Sequence, residues 1–104
     1  PERLFDREWL ESIFERSLRR LEEECAREGK GTYYEVFRLY DLERTASVEM
    51  TYEEVAKVAG ISVSDVRNFL HHARARARKF VLDEVRQTVA SPEDFEEEVK
   101  ALFA

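Results

Sequence analysis

Five stretches of the chain carry apolar residues at the spacing of an amphipathic helix. They span about residues 6–28, 33–42, 52–59, 63–88, and from 92 onward. Pro92 stands directly after Ser91, in the favoured first position of a helix, with Ser91 as its cap. The pattern therefore predicts an all-α domain of about five helices.

The first helix is predicted to support the rest of the domain. Asp6 is expected to cap it, and its outer side mixes acidic and basic residues. Its apolar stripe comprises Phe5, Trp9, Leu10, Ile13, Phe14, Leu18, Leu21 and Cys25, with Ser17 as a small polar gap at the edge. The run from Gly29 to Gly31 is expected to end this helix, because glycine disfavours helix interiors.

The second helix is predicted to begin behind a capping box. Thr32 and Glu35 stand in the S/T-x-x-E register in which each side chain bonds the other residue's backbone N–H. The residues expected to face inward are Val36, Phe37 and Tyr40, with Tyr33 as a further candidate. Residues 43–50 show no clear period and are predicted to form a loop, with Met50 against the core.

Residues 51–79 are predicted to form a helix-turn-helix. Thr51 and Glu54 give a capping box, and Gly60 supplies the positive φ that ends a helix without a Cβ clash. Ser62 and Asp65 then open a longer helix. The buried side of the shorter helix is predicted to be Val55, Ala56, Val58 and Ala59. The longer helix is predicted to bury Val66, Phe69, Leu70, Ala73, Ala77 and Phe80.

Basic residues follow another face of the longer helix, which suits it to a DNA major groove. Arginine can bond guanine and asparagine can bond adenine through two hydrogen bonds each. The candidates for contacting base edges are Val63, Ser64, Arg67, Asn68 and His71. The candidates for phosphate contacts are Arg74, Arg76, Arg78 and Lys79. Asp65 is expected to cap the helix rather than contact a cytosine, and a solvated basic face is the simpler alternative for the whole set.

The same stretch resembles the C-terminal region 4 of bacterial sigma factors of the extracytoplasmic-function type. The residues that match the family's pattern in order are Tyr52, Ala56, Gly60, Ile61, Val66, Arg67, Leu70, His71 and Arg74. Residues 5–9 (FDREW), 24–30 (ECAREGK) and 83–104 also resemble one subset of sigma-like proteins. The resemblance therefore covers nearly the whole chain.

The resemblance implies a domain that recognises the −35 element of double-stranded promoter DNA and contacts the β flap of the RNA polymerase core. It also implies an anti-sigma factor as a further partner. The sequence departs from the family at Phe69 and His72, where basic residues are common, and at Asp65, where threonine is common. These changes remove positive charge from the longer helix and predict weaker DNA binding. The net charge of −6 and the acidic last helix favour an alternative: a sigma-like protein-interaction module with weak or no DNA binding.

The net charge of −6 is unevenly distributed. Residues 66–80 contain no acidic residue, whereas the last helix sets Glu93, Asp94, Glu96, Glu97 and Glu98 against Lys100. DNA responds to the local charge rather than to the total. The apolar edge of the last helix is Phe95, Val99, Leu102 and Phe103. This helix is expected to dock on a basic partner, to mask residues 74–79, or to mediate a dimer.

The sequence offers no catalytic motif, and we expect neither an enzyme nor a cofactor or metal. Cys25 is the only cysteine, and the adjacent His71 and His72 point to different helix faces. No apolar run approaches the ~20 residues that cross a bilayer, and no signal peptide is visible. We therefore expect one cytoplasmic domain over 1–104, with supporting helices (1–50), the helix-turn-helix (51–82) and the helix end with the acidic helix (83–104).

Overall fold

The longest helix of the fold contacts each of the other four. The structure, a computed structural model, describes residues 7–44, 48–88 and 92–103, the last range with the side chains of 93, 96, 97 and 99–101. The elements are α1 (Arg7–Arg27), α2 (Gly31–Phe37), a π-helical turn (Arg38–Leu42), α3 (Tyr52–Ala59), α4 (Val63–Thr88) and α5 (Pro92–Phe103). The predicted all-α fold of about five helices is confirmed. No helix in these ranges is long and apolar enough to span a membrane.

The core lies where α4 crosses α1 and α2. The buried apolar residues of α4 are Val66, Leu70, Ala73, Ala77, Val81 and Val85. They pack against Ile13, Leu21 and Cys25 of α1 and against Val36 and Phe37 of α2. Alanine side chains at the centre of the stripe add little bulk and allow neighbouring helices to approach closely. α4 is therefore the scaffold of the domain as well as its candidate recognition helix.

Ser17 lies within the buried stripe of α1 rather than at its edge. Its side chain is fully buried, and its hydroxyl donates to the carbonyl of Ile13 at 2.7 Å. That bond to the preceding turn satisfies a polar group that would otherwise be costly in an apolar environment. Phe14, predicted to be part of the same stripe, is 40% exposed.

The predicted caps of the helix-turn-helix are confirmed, apart from the one expected from the Asp65 side chain. Thr51 and Glu54 exchange hydrogen bonds of 2.9 and 3.1 Å, which is the full capping box. Gly60 ends α3 with φ of +71°, and the next residue, Ile61, donates to the carbonyl of Ala56 at 3.0 Å. The hydroxyl of Ser62 accepts from the Asp65 N–H at 3.0 Å and caps α4. The described side chain of Asp65 does not make the predicted bond to the Ser62 N–H.

The predicted capping box at Thr32 and Glu35 is wrong. Gly29 has φ of +71°, and the chain reverses so tightly that Lys30 donates to the carbonyl of Cys25 at 2.7 Å. Lys30 then serves as the N-cap without a side-chain bond, so α2 begins at Gly31 and Thr32 falls inside the helix. The Glu35 carboxylate accepts a hydrogen bond of 2.7 Å from Arg38 instead.

The prediction that Val58 is buried is also wrong, since its side chain is 61% exposed. Val55 and Ala56 are buried and Ala59 is half-buried, and together they set the inward direction of α3. At about 3.6 residues per turn, Val58 points roughly a third of a turn away from that direction. The other inward residues of the helix-turn-helix are buried or half-buried as predicted, and Met50 packs on the core.

α5 begins at Pro92 as predicted and, among the described elements, contacts α4 alone. Its described acidic side chains, Glu93, Glu96 and Glu97, are exposed, and Val99 is half-buried. The predicted caps Asp6 and Ser91, the stripe residue Phe5, and the side chains of Phe95, Leu102 and Phe103 lie outside the described residues.

Two arginines on α1 hold a carboxylate of α4. Arg16 and Arg20 each donate to Glu84 at 2.8 Å, and Arg20 also donates to Asp83 at 2.8 Å. Glu84 is only 8% exposed. Burial alone would raise the pKa of Glu84, but the hydrogen bonds from the two arginines outweigh it and hold the pKa below its usual value. The network ties the middle of α1 to the C-terminal part of α4, beside the apolar core.

We expect the Glu84→Ala substitution to destabilise the fold by about 2 kcal/mol, because it leaves two guanidinium groups without their shared acceptor. Glu15→Ala is the matched control, since Glu15 forms an exposed i,i+4 pair with Arg19 worth at most ~0.5 kcal/mol. Urea unfolding followed by circular dichroism measures both. Equal losses in the two variants would show that the Glu84 network does not stabilise the fold.

Candidate nucleic-acid interface

Seven of the nine predicted DNA-binding residues are exposed on α4. They are Ser64, Arg67, Asn68, His71, Arg74, Arg78 and Lys79. The buried stripe occupies the opposite side of the helix, so packing against α1 and α2 fixes which way these side chains point. Their spacing covers about four turns of α4. The outer side of α4 is therefore a continuous polar surface with four cations and no carboxylate among these seven residues.

The Arg67 side chain contacts α3, the shorter helix of the helix-turn-helix. Its guanidinium carbon lies 5.7 Å from the centre of the Tyr52 ring, at cation–π distance. Tyr52 is in the first turn of α3, next to the capping residue Thr51. This contact limits the directions in which the Arg67 side chain extends, while its guanidinium donors remain available to an acceptor on the outer side.

Val63 does not share the exposed surface. It is half-buried and packs against the main core cluster. The Val63 side chain therefore holds the first turn of α4 against the core, whereas its neighbour Ser64 is exposed. The two predicted base-contacting residues at the start of α4 therefore occupy different environments.

Arg74 is exposed but already holds a carboxylate. Its Nε and Nη2 atoms donate to the two oxygens of Asp41, both at 2.7 Å, which is a bidentate ion pair. Its guanidinium carbon also lies 5.7 Å from the centre of the Tyr40 ring. The hydrogen bonds to Asp41 raise the pKa of Arg74 further. A phosphate would have to compete with Asp41 for this arginine.

Arg76 lies on a different side of α4 from the exposed set. Residues two apart on a helix point in nearly opposite directions, so Arg76 faces α1 where Arg78 faces outward. It donates to both oxygens of Glu24 at 2.8 and 2.7 Å, and the Glu24 side chain is only 14% exposed. The Arg76 hydrogen bonds hold the pKa of Glu24 below its usual value. The guanidinium groups of Arg20 and Arg76 both lie over the Phe80 ring.

Phe69 and His72, where the resembling family commonly has basic residues, pack against α2. The Phe69 ring stacks on Tyr33 with centroids 3.9 Å apart and an interplanar angle of 13°. His72 meets the same tyrosine edge-on at 5.1 Å. These aromatic contacts lie on the flank that α4 presents to α2, away from the outer side.

The carboxylates Asp41 and Glu24 are functional neighbours that sequence reasoning missed. They lie 33 and 52 residues before the arginines they bind, so no local spacing relates the partners. The described residues contain no group of three or more His, Cys, Asp or Glu side chains placed to hold a metal ion.

Comparisons of the chain with models of known protein families, with curated proteins and with solved structures find no match.

The Arg76–Glu24 pair makes stability depend on pH. The folded-state pKa of Glu24 is below its unfolded value of about 4.3, so the pair stabilises the fold above that pH. The contribution is lost as pH falls through the folded pKa. We expect Glu24→Gln to show a smaller loss of stability than the unchanged protein between pH 6 and pH ~3.5, measured by urea unfolding. Glu22→Gln, at an exposed position of the same helix, should behave like the unchanged protein. An unaltered pH dependence in Glu24→Gln would contradict this role.

Proposed function

We propose that this domain binds double-stranded DNA through the outer side of α4 and recognises a promoter element in transcription initiation. The observation that carries the proposal is the capped helix-turn-helix whose second helix presents Ser64, Arg67, Asn68, His71, Arg78 and Lys79 outward. Between positions 66 and 82, α4 contains no acidic residue at all. In helix-turn-helix proteins the second helix enters the major groove with its first residues at the base edges.

The proposed contacts fall into two groups, to bases and to phosphates, according to the position of each residue along α4. Ser64, Arg67 and Asn68 lie in the first two turns, where recognition helices contact bases. Arg78 and Lys79 lie about 16 Å further along the helix axis than Arg67 and Asn68. At that distance they suit phosphates that flank the recognised bases, which would fix the orientation of the helix in the groove.

The resemblance to sigma region 4 extends the proposal to protein partners. It names the RNA polymerase core, through its β flap, and an anti-sigma factor. The body of the domain carries exposed carboxylates on α1 and α5, and a net charge of −6 suits a partner with a basic surface. Such a transcription domain would act in the cytoplasm, where its buried Cys25 stays a free thiol.

A protein-interaction module is the second candidate, and two observations favour it. Arg74 is already paired with Asp41, and Arg76 faces α1, where it is paired with Glu24. Phe69 and His72 face Tyr33 and add no charge to that side. The remaining cations give a smaller electrostatic attraction to DNA than a full basic helix would.

Binding of labelled duplex DNA across a salt series tests the first candidate. The two proposed phosphate contacts, by Arg78 and Lys79, predict that log K falls with log salt at a slope of about −2, from ~0.9 per contact. We expect this slope to be nearly abolished in the Arg78→Ala, Lys79→Ala double variant, measured by fluorescence anisotropy. Arg19→Ala, Arg27→Ala removes the same charge from exposed positions of α1 and should leave the slope unchanged. Absence of binding at low salt would contradict direct DNA binding and favour the interaction module.

Asp41 should limit DNA binding by occupying Arg74. We expect Asp41→Asn to bind duplex DNA several-fold more tightly at low salt, with a slope steeper by up to ~0.9, because Arg74 becomes available to a phosphate. Glu43→Gln is the matched control: it removes one negative charge from the same segment, but Glu43 pairs with Arg38 rather than with α4. Equal gains in the two variants would attribute the effect to net charge and not to the release of Arg74.

A further inference from the structure

An apolar groove crosses the surface between α1, the end of α2 with its π-helical turn, and α4. Its volume is about 420 Å³, within the range of sites that hold a ligand or an anchoring side chain. The groove is lined by Phe14, Leu18, Phe37, Leu42, Arg74, Ala77, Arg78 and Val81. Phe14 is 40% exposed and Leu42 is 39% exposed. Large exposed apolar residues that are grouped rather than scattered mark an interaction surface.

We propose that this groove receives the α5 helix of a second copy of the chain, so that two copies form a symmetric dimer by exchanging their C-terminal helices. In a two-fold arrangement each groove holds the partner's α5 and the same contact forms twice. The dimer is a property of the fold beyond DNA binding, because none of its apolar contacts uses a base-contacting candidate.

No described side chain of the chain's own α5 lines the groove. The described lining residues belong to α1, α2, the π-helical turn and α4. α5 contacts α4 alone among the described elements. The radius of gyration is 15.5 Å, whereas a compact domain of this length has about 13 Å. α5 is thus peripheral in its own chain and is placed to reach a neighbour.

Charge and pattern make α5 the occupant that fits the groove. Its sequence repeats apolar residues at 95, 99 and 102, the i, i+4, i+7 spacing of a helix that docks one face into an apolar groove. Residues 92–103 include five acidic residues and one basic residue. Among the described residues, the groove lining includes Arg74, which is paired with Asp41, and Arg78, and it includes no carboxylate. A helix with an apolar edge and acidic residues beside it therefore complements the apolar lining, and its carboxylates would compete with Asp41 for Arg74.

Analytical ultracentrifugation of the full chain over a range of concentrations tests the exchange. We expect the mass to rise from one copy to two as concentration increases. Phe14→Glu in the groove and Val99→Asp in α5 should each weaken the dimer more than tenfold, because each places a charge in the apolar contact. Leu42→Asp is a second groove variant with the same expected effect. Circular dichroism checks that each variant remains folded.

Two control substitutions place the same charges outside the proposed contact. Val58→Glu changes an exposed apolar residue of α3, and Ala101→Asp changes an exposed residue of α5. Both should leave the dimer intact. A chain that stays a single copy at all concentrations would overturn the proposal, as would a dimer insensitive to both groove variants. Groove variants that separate the copies while Val99→Asp does not would assign the groove to another segment and overturn the exchange of α5. DNA binding is measured separately, so its failure would not be confused with failure of the dimer.

Discussion

The packing of one side of α4 against α1 and α2 is the constraint on which the rest of the structure depends. α4 is 26 residues long and contacts every other helix, so its buried stripe sets the orientation of all of them. The small side chains of Ala73 and Ala77 form the centre of that stripe. Further along the helix, Val81 and Val85 pack against Ile13 and Trp9 of α1. Once this side is buried, the geometry of a helix leaves one outer side and two flanks.

The two flanks of α4 carry ion pairs as well as aromatic contacts. Asp41 holds Arg74 on one flank, and Glu24 holds Arg76 on the other. Bidentate pairs of this kind define an orientation, even where their net contribution to stability is small. As a result, two of the five cations between residues 66 and 80, Arg74 and Arg76, form ion pairs within the domain. The outer side therefore offers fewer cations to DNA, which favours contacts with particular phosphates and bases over non-specific electrostatic attraction.

The features that depend on neighbouring residues could be predicted from the sequence, and those that depend on distant ones could not. The Thr51–Glu54 box, Gly60 and the end of α4 near Thr88 follow from local spacing. The same spacing at Thr32 and Glu35 predicted a capping box that does not form, because the tight reversal at Gly29 makes α2 begin earlier, at Gly31. The candidate surface was predictable as a basic helix face. Which arginines remain on it was not, because their carboxylate partners come from other helices.

Arg78 belongs to both surfaces proposed for this domain, and that overlap couples them. It is exposed on the outer side of α4 and also lines the apolar groove. If a phosphate and the acidic α5 of a second copy both require this guanidinium, binding of one lowers the affinity for the other by the same factor. The acidic helix would then act as a competitor of DNA supplied by the partner copy. Self-association would hold the domain in a form with weaker DNA binding, and promoter DNA would draw it toward the single copy.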